Sequence, residues 1–345
     1  MKQTVLKFAK AIGLFALCRR LTRKQLRILC YHGVWLGDPP HFGDCLYMAP
    51  QTFKDRVTML LRAGYPVLPL GAAIDGLRDG SLPDAAVVIT IDDAWYGTFR
   101  HMVPVLQKAG LPATLYVTTY YALMRRPVLN VLINFMVARA PRRPLLDELM
   151  PSINGRATAS DVHSAQYASE LAARVDALPA LQARWEAIER IAPALGADLA
   201  TIVSERWFDL MTEDELRAAD SAGIDIQLHT HSHRMHGFDR ERVRDELERN
   251  RAELARILGS DGQMLEHFCY PSGVYDPSVY PVLRETGVTS ATTTEFGLNP
   301  PDANPYALKR ILDCQSMTDL EVEARLSGFW SLLSGFRRRL QRGST

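Results

Sequence analysis

Short apolar runs alternate along the chain with longer segments of helical spacing. Runs rich in β-branched and apolar side chains predict strands at Arg27–Tyr31, Ala86–Ile91, Ala113–Thr118, Ile224–Leu228, His267–Tyr270 and Thr289–Thr293. Apolar positions at helical spacing predict helices over Thr98–Ala109, Glu213–Ala222 and Arg240–Leu258. The last of these helices has Asp239 as its N-cap and ends at Gly259. Alternating strands and helices indicate βα units around a parallel sheet or barrel.

The alternation stops between about residues 120 and 209. This stretch is rich in Ala, Leu and Arg at helical spacing and contains no convincing strand, which predicts a helical insertion. Because it follows directly on the strand that ends near Thr118, we expect it beside the carboxyl-end face of the barrel, contributing to substrate choice. The alternative is an appendage that only stabilises the fold.

Polar side chains that could take part in catalysis or bind a metal follow four of the predicted strands. His32, Asp92–Asp93, His229 and Pro271–Gly273 each come directly after an apolar run. In a parallel barrel these positions converge on the carboxyl-end face, where active sites lie. The pattern therefore predicts one composite site.

Two of these motifs contain groups that bind metals. Alone, Asp92–Asp93 would be a turn or a helix cap, but one carboxylate could bind a metal while the other acts as a general base. The segment from His229 to His236 holds four of the nine histidines. Two imidazoles and one carboxylate form a three-ligand set that leaves a position open for water. His231 and His236 are reserve ligands.

The loop Phe268–Gly273 combines small and rigid residues. The Pro-Ser-Gly sequence is usually only a turn. It could also direct a backbone N–H toward a developing oxyanion.

Composition and cysteine spacing narrow the class of protein. With 345 residues, 47% of them hydrophobic and 23% charged, the chain is expected to be globular, with one main domain and an insertion. Its five scattered cysteines contain no CxxC pair, which argues against a disulfide framework and a cysteine zinc site.

The net charge of +1 hides a strong asymmetry. Residues 1–27 carry eight Lys or Arg and no acid, residues 329–345 carry four Arg and no acid, and the remainder has a net charge of −11. Nucleic-acid binders place positive charge on the folded domain, so a nucleic-acid partner is not expected.

Both ends of the chain combine apolar and basic side chains. The apolar run Ala11–Cys18 is too short to span a bilayer and no cleavage site follows it, so residues 1–27 are predicted to form an uncleaved basic amphipathic helix. Apolar residues lie on one side of this predicted helix and basic residues on the other. The apolar residues are Val5, Phe8, Ile12 and Phe15, and the basic residues are Lys7 and Lys10. The basic tail over residues 327–345 places Phe329, Trp330, Leu332, Leu333 and Phe336 ahead of Arg337–Arg339. We expect peripheral membrane contact through these ends, with terminal helices packed on the barrel as the alternative.

The order of the motifs resembles that of the polysaccharide deacetylases, the NodB-homology domains of carbohydrate esterase family four. The resemblance rests on IDD ending at Asp93, HTHSH over His229–His233 and FCYPSG over Phe268–Gly273. Additional matches are CYHGV (Cys30–Val34), ATTTEFGLNP (Ala291–Pro300) and LKRI (Leu308–Ile311). The similarity covers about residues 28–326 without the insertion.

The resemblance implies a distorted (β/α) barrel of about seven strands and the removal of acetyl groups from a sugar. It implies Asp92 as general base, Asp93, His229 and His233 as metal ligands, and the backbone N–H of Ser272 as an oxyanion donor. The implied metal is zinc, with cobalt, nickel and iron as alternatives because the ligand types suit them too.

The chain departs from the family pattern at three places. Ala94 replaces the glycine after the aspartate pair, and Cys269 replaces the arginine often found in the third motif, so that Arg310 is the candidate to orient Asp92. No histidine follows His267, so the late histidine that acts as general acid is missing, and His32 is the candidate substitute.

The leading hypothesis is a metal-dependent hydrolase that removes N-acetyl groups from an amino-sugar-containing glycan or a lipid-linked saccharide. A lipid-linked substrate would suit a cytoplasmic enzyme at the inner face of the membrane. The alternatives are a hydrolase of another small amide or O-acetyl ester, and a catalytically silent glycan-binding barrel. The sequence leaves the glycan and the oligomeric state open.

Overall fold

Seven parallel strands form a closed barrel. The computed structural model describes residues 2–38, 41–150, 164–259 and 264–334. The strands in these ranges are β1 (Arg27–Tyr31), β2 (Gly33–Val34), β3 (Tyr47–Met48), β4 (Val87–Ile91), β5 (Ala113–Val117), β6 (Ile224–Leu228), β7 (His267–Cys269), β8 (Ser290–Phe296) and β9 (Leu308–Leu312). The barrel follows the order β1, β4, β5, β6, β7, β8, β9, and β9 pairs back onto β1. The predicted (β/α) barrel is confirmed.

The sequence pattern did not predict the barrel strand β9. Lys309 and Arg310 interrupt its apolar run, so its alternation is obscured. In the structure Arg310 is 1% exposed and points to an acidic partner within the barrel. A buried charge therefore occupies a position at which a core strand normally carries an apolar residue.

Helices precede, connect and follow the strands along the chain. They are α1 (Lys2–Ala11), α2 (Leu14–Leu21), α3 (Pro50–Arg62), α4 (Leu70–Asp79), α5 (Val103–Ala109), α6 (Thr119–Met124), α7 (Leu129–Arg139), α8 (Leu146–Leu149), α9 (Ser164–Asp176), α10 (Leu181–Ala194), α11 (Leu199–Ser204), α12 (Glu213–Ser221), α13 (Arg240–Leu258), α14 (Tyr280–Glu285) and α15 (Asp319–Leu326). The carboxylate of Asp239 accepts a hydrogen bond from the Arg242 N–H at 3.0 Å, and Gly259 ends α13 with φ of 64°. Both predicted ends of this helix are confirmed.

Alternate positions of the barrel strands pack into different clusters. Leu29, Ile89 and Leu115 belong to the large cluster shared with the surrounding helices. Their neighbours Ile28 and Val88 pack in a second cluster that includes α4. Because helices cover the outside of a parallel barrel, both faces of its strands are buried, which explains their nearly continuous apolar sequences.

The chain divides into two compact units. One consists of Met1–Trp35, Gly43–Leu123 and Met211–Thr345, and the other of Leu36–Phe42 and Met124–Leu210. The described helices that lie within the second unit are α7 to α11. The sequence placed this insertion at about residues 120–209 and did not include the short segment before residue 43. Its role in substrate choice stays a prediction.

Two cysteines that are far apart in sequence form a disulfide. Cys45 and Cys314 are separated by 269 residues, with their Cα atoms 4.3 Å apart. The scattered spacing of the cysteines predicted no disulfide framework, and for this pair the prediction was wrong, because the two cysteines meet only when β9 closes the barrel. Disulfides persist mainly in oxidising compartments, so this bond does not favour a cytoplasmic localisation. The cytoplasmic localisation stays a prediction.

The N-terminal residues form two helices instead of the single predicted helix. Gly13 adopts a left-handed conformation with φ of 75°, which separates α1 from α2. Leu6, Ala9 and Phe15 pack in one cluster with Ala324 of α15. Phe15, which was predicted to share one side of a single helix with Val5, Phe8 and Ile12, is 5% exposed, whereas those three residues are exposed. In the described part of the chain, no helix has both the length and the hydropathy to cross a membrane.

The basic C-terminal tail is only partly described. Phe329 and Trp330 pack against the cluster that buries Phe15, and the Phe329 and Phe15 rings are 5.6 Å apart. Phe336 and Arg337–Arg339 lie outside the described residues. The packed aromatic residues agree with the alternative that the chain ends are terminal helices of the barrel.

Candidate metal centre and active site

Three predicted ligands converge at the carboxyl ends of β4 and β6. The Asp93 Oδ1 atom lies 3.2 Å from His229 Nε2 and 3.4 Å from His233 Nε2. One ligand atom from each of the three residues falls within a group less than 4.8 Å across. Two imidazoles and a carboxylate at these separations can bind one divalent ion.

Neighbouring groups orient two of these ligands. The Nδ1 atom of His229 is 2.7 Å from the carbonyl oxygen of Cys269, which can only accept a hydrogen bond. His229 therefore carries a proton on Nδ1 and directs Nε2 at Asp93 Oδ1, so that Nε2 is the nitrogen that would bind a metal. The indole N–H of Trp95 donates to Asp93 Oδ2 at 2.9 Å, which leaves Oδ1 directed at the histidines. This donor set fits a zinc-like ion.

The carboxyl group of Asp93 is held in its ionised form. Burial alone would raise its pKa, but hydrogen bonds with His229 and His233 outweigh burial and hold the pKa well below its usual range. An ionised carboxylate is the form that binds a metal.

The backbone at the candidate metal centre is strained. Asp93, Ala94, Thr230 and His233 have φ values of 71°, 66°, 60° and 59°. Non-glycine residues adopt this left-handed region infrequently, at a cost of roughly 1–3 kcal/mol each. Glycine, which the resembling family pattern has at the position of Ala94, adopts this conformation without strain. Such a cluster of strained residues is typical of functional sites.

Asp92 and Arg310 form a buried bidentate ion pair. The Arg310 Nη1 and Nη2 atoms donate to Asp92 Oδ1 and Oδ2, both at 2.7 Å. Arg310 Nε donates to the carbonyl oxygen of Thr293 at 2.7 Å, which fixes the guanidinium plane. Burial would raise the pKa of Asp92, but the charge and hydrogen bonds of Arg310 lower it to about 2. Asp92 is therefore ionised at neutral pH.

Two thiols border the same carboxylate. Cys30 Sγ lies 3.6 Å and Cys269 Sγ 3.5 Å from Asp92 Oδ2. Burial raises the pKa of the Cys30 thiol well above its usual range, so the thiol stays protonated and can donate. Arg310 Nη2 also lies 3.2 Å from Cys269 Sγ. The residue that replaces the family's arginine is thus in contact with the arginine that holds Asp92.

His32 lies on the other side of Asp92. Its Nε2 atom is 3.7 Å from Asp92 Oδ2, and the side chain is 18% exposed. Its Nδ1 atom is buried and has no hydrogen-bond partner in the described residues. The sequence predicted that His32 lies in the site but did not predict its neighbours. In the structure His32 lies beside Asp92, the candidate base.

The loop after β7 offers a free backbone donor. Ser272 is exposed and has φ of 57°, and the adjacent Gly273 donates its N–H to the carbonyl of Tyr270 at 2.8 Å. The Ser272 N–H has no hydrogen bond to any part of the chain that the structure describes. It could therefore donate to an oxyanion.

Helix α13 supports the histidine segment through two residues that the sequence analysis missed. Glu246 accepts hydrogen bonds from Ser232 N–H at 2.7 Å and from Ser232 Oγ at 2.6 Å. One turn later, Asn250 accepts a bond from the His229 N–H at 2.9 Å and donates to the carbonyl of Val117 at 3.0 Å. Their signal was present, because both polar residues fall on the apolar face of an amphipathic helix.

The two reserve histidines lie outside the three-ligand group. His231 Nδ1 is 2.9 Å from Thr119 Oγ1, and His236 Nε2 is 3.1 Å from Glu246 Oε1. Neither belongs to the group formed by Asp93, His229 and His233 among the described residues. The structure thus separates these two histidines from the converging ligand atoms.

Comparison with known proteins tests the resemblance suggested by the motifs. Residues 170–291 match the family model for polysaccharide deacetylase, and this range includes the histidine segment and the loop after β7. The resemblance to the polysaccharide deacetylases is confirmed. The matched range does not include Asp92 and Asp93, which the barrel brings to the same place. No curated protein matches the chain.

Solved structures of deacetylases share the barrel. The deacetylase PplD of Streptococcus pyogenes, in complex with acetate, has a TM-score of 0.59 and 15% identity, covering 88% of this chain and 99% of that one. IcaB of Ammonifex degensii has a TM-score of 0.53 and 20% identity, covering 88% and 97%. The de-N-acetylase of Aggregatibacter actinomycetemcomitans has a TM-score of 0.52 and 13% identity, covering 87% and 99%. At these identities the comparison establishes the polysaccharide deacetylase fold.

Proposed function

We propose that this protein is a metal-dependent deacetylase that removes N-acetyl groups from an amino-sugar-containing glycan or a lipid-linked saccharide. The observation that carries the proposal is a three-ligand group next to a separate ionised carboxylate. Asp93, His229 and His233 supply the ligands, while Asp92 is committed to Arg310 and remains apart from the group. A metal hydrolase needs this division between ligands and base.

The ligand group fits a divalent ion, for which zinc is the first candidate and cobalt, nickel and iron are alternatives. When bound, such an ion polarises the acetyl carbonyl and lowers the pKa of a water molecule. His229 is held in the required tautomer by the Cys269 carbonyl, and Asp93 is held in its rotamer by Trp95. These contacts keep the ligand atoms oriented before a substrate binds.

The remaining residues move the protons of amide hydrolysis. Asp92 accepts a proton from the attacking water, whose oxygen forms a bond to the acetyl carbon. The Ser272 N–H donates to the carbonyl oxygen as negative charge develops on it. His32, next to Asp92, then donates a proton to the sugar nitrogen as the C–N bond breaks. The products are acetate and an amino sugar.

The proposed activity is tested by acetate release from N-acetylated amino-sugar oligomers. We expect release by the zinc-loaded full chain, loss of release after treatment with a chelator, and recovery when zinc is restored. The same assay with O-acetylated sugars distinguishes an esterase, which would release acetate from those substrates alone. Binding of the oligomers without any release of acetate would instead indicate a silent glycan-binding barrel and would contradict the proposal.

His32 is expected to act as the general acid. Replacing it with alanine should lower turnover on N-acetyl substrates by about 10²–10⁴-fold, because a sugar amine leaves poorly without a proton. The zinc content should not change, since His32 is not one of the three ligands. Turnover and zinc content are both measured on the purified variant.

An activated ester separates an acid role from a structural one. The leaving group of 4-nitrophenyl acetate departs without protonation, so the His32→Ala variant should lose much less activity on it. Equal losses on the two substrates, or a loss of less than a few-fold on the amide, would show that His32 is not the acid.

A further inference from the structure

The two N-terminal helices leave an unusually apolar surface exposed. Among the described residues, half of the ten large apolar side chains that are exposed fall between residues 5 and 21. They are Val5 and Phe8 of α1, Ile12 directly after α1, and Leu17 and Leu21 of α2, and we call them the N-terminal apolar surface. Phe8 is 66% exposed and Leu21 is 65% exposed. A concentration of this kind marks an interaction site.

This surface lies on the outer faces of both helices. Val5 and Phe8 of α1 and the adjoining Ile12 are spaced so that they share one face, and the buried Leu6 and Ala9 face another. Leu6 and Ala9 of α1 and Phe15 of α2 join a single cluster with Ala324 of α15. Because both inner faces point to that cluster, both outer faces point away from it.

The charge around the surface favours an anionic partner. Residues 1–27 contain no acidic side chain. Lys7 and Arg20 are exposed and form no ion pair with any residue in the described ranges. Glu323 of α15 lies 2.6 Å from Lys10 of α1, and Asp84 lies 2.9 Å from Lys24, three residues after α2.

We propose that the N-terminal apolar surface docks the protein on an anionic lipid bilayer. Apolar side chains on short helices next to unpaired basic residues are the pattern of an interfacial amphipathic element. The apolar residues would enter the headgroup boundary, while Lys7 and Arg20 would contact lipid phosphates and carboxylates. Docking on this surface would leave residues 28–328, which carry a net charge of −11, outside the bilayer. Docking would place the enzyme where lipid-linked saccharides are found.

Co-sedimentation of the full chain with two kinds of vesicle tests the proposal. Phosphatidylcholine vesicles that contain phosphatidylserine should bind the protein, and pure phosphatidylcholine vesicles should bind it much less. The double variant Phe8→Ser and Ile12→Ser should lower the partition coefficient at least about tenfold. The double variant Lys7→Glu and Arg20→Glu should also lower it at least about tenfold, since each charge contributes roughly fivefold.

A matched control replaces exposed apolar residues elsewhere. Met264 and Leu145 are 68% and 46% exposed, and the double variant Met264→Ser and Leu145→Ser should keep the wild-type partition. All variants should retain the wild-type melting temperature, because the replaced side chains are exposed. Equal binding to both kinds of vesicle, or an equal loss in the control variant, would overturn the proposal.

A second copy of the chain is the competing occupant of this surface. Light scattering during size-exclusion chromatography measures the oligomeric state of the wild type and of the Phe8→Ser, Ile12→Ser variant. A wild-type dimer that the variant converts to a monomer, together with no vesicle binding, would assign the surface to self-association and overturn lipid docking. A vesicle-binding chain with the same oligomeric state in both forms would support it.

Discussion

Replacement of Asp93, His229 or His233 by alanine is expected to abolish both metal binding and acetate release. Each residue contributes one of only three ligand atoms, all within 4.8 Å of each other. Loss of an outer contact to a metal ligand costs about 10–100-fold in affinity, so loss of a ligand should cost at least about a hundredfold. Metal content after dialysis, measured by mass spectrometry, and the shift in melting temperature on addition of zinc give two readouts independent of activity.

The same histidine segment provides the control for this prediction. The His236→Ala variant removes an imidazole that contacts Glu246 and lies outside the ligand group. It should retain most of the bound zinc. Full zinc occupancy in the His229→Ala variant, or an equal loss of zinc in His236→Ala and His233→Ala, would mean that the ligand set is assigned incorrectly.

Replacement of Asp92 by asparagine should separate catalysis from metal binding. The amide keeps the shape of the side chain but loses the negative charge and the basicity. We expect turnover to fall by about 10²–10⁴-fold, the usual contribution of a general base, with zinc content unchanged. Single-turnover acetate release and metal analysis on the same preparation measure both quantities.

This variant also leaves Arg310 without a charged partner. Removing one member of a buried ion pair typically destabilises a protein by about 3–5 kcal/mol, so a loss of activity could reflect unfolding. The Asp313→Asn variant provides a control for the loss of a buried carboxylate, because Asp313 is buried and accepts a hydrogen bond from Arg56 Nε at 2.8 Å, while Arg56 keeps a second ion pair with Asp319. It should lose stability while it keeps turnover within a few-fold of wild type.

The stability control distinguishes a catalytic role of Asp92 from a role in stability alone. If the two variants unfold at similar denaturant concentrations but only Asp92→Asn loses turnover, the charge of Asp92 acts in catalysis. If Asp92→Asn matches the wild type in turnover, Asp92 is not the base. An equal loss of turnover in both variants would trace the effect to stability.

Local sequence patterns predicted much of the barrel. The run from Val87 to Ile91 is continuous and apolar because helices and core cover both faces of the strand. Helix α13 was predicted from Asp239 to Gly259 because cap residues and apolar periodicity act within a few residues of each other. Strand β9 was missed because Lys309 and Arg310 hide its periodicity.

The order of residues along the chain shows which chemical groups follow which strands, and each strand carries the residue after it to the carboxyl-end face. It therefore placed Asp92, Asp93 and His229 at one end of a barrel before their separations were known. It could not determine which of four neighbouring histidines turn toward Asp93. That choice depends on the left-handed backbone at Thr230 and His233.

Contacts between distant parts of the chain depend on how the barrel closes. Arg310 and Asp92 are 218 residues apart, and Cys45 and Cys314 are 269 residues apart. Local periodicity contains no information about such pairs, because they meet only when β9 closes against β1. The same applies to the exposed outer face of the N-terminal helices. Their periodicity indicates an apolar side, but packing against α15 decides which apolar residues are buried and which remain at the surface.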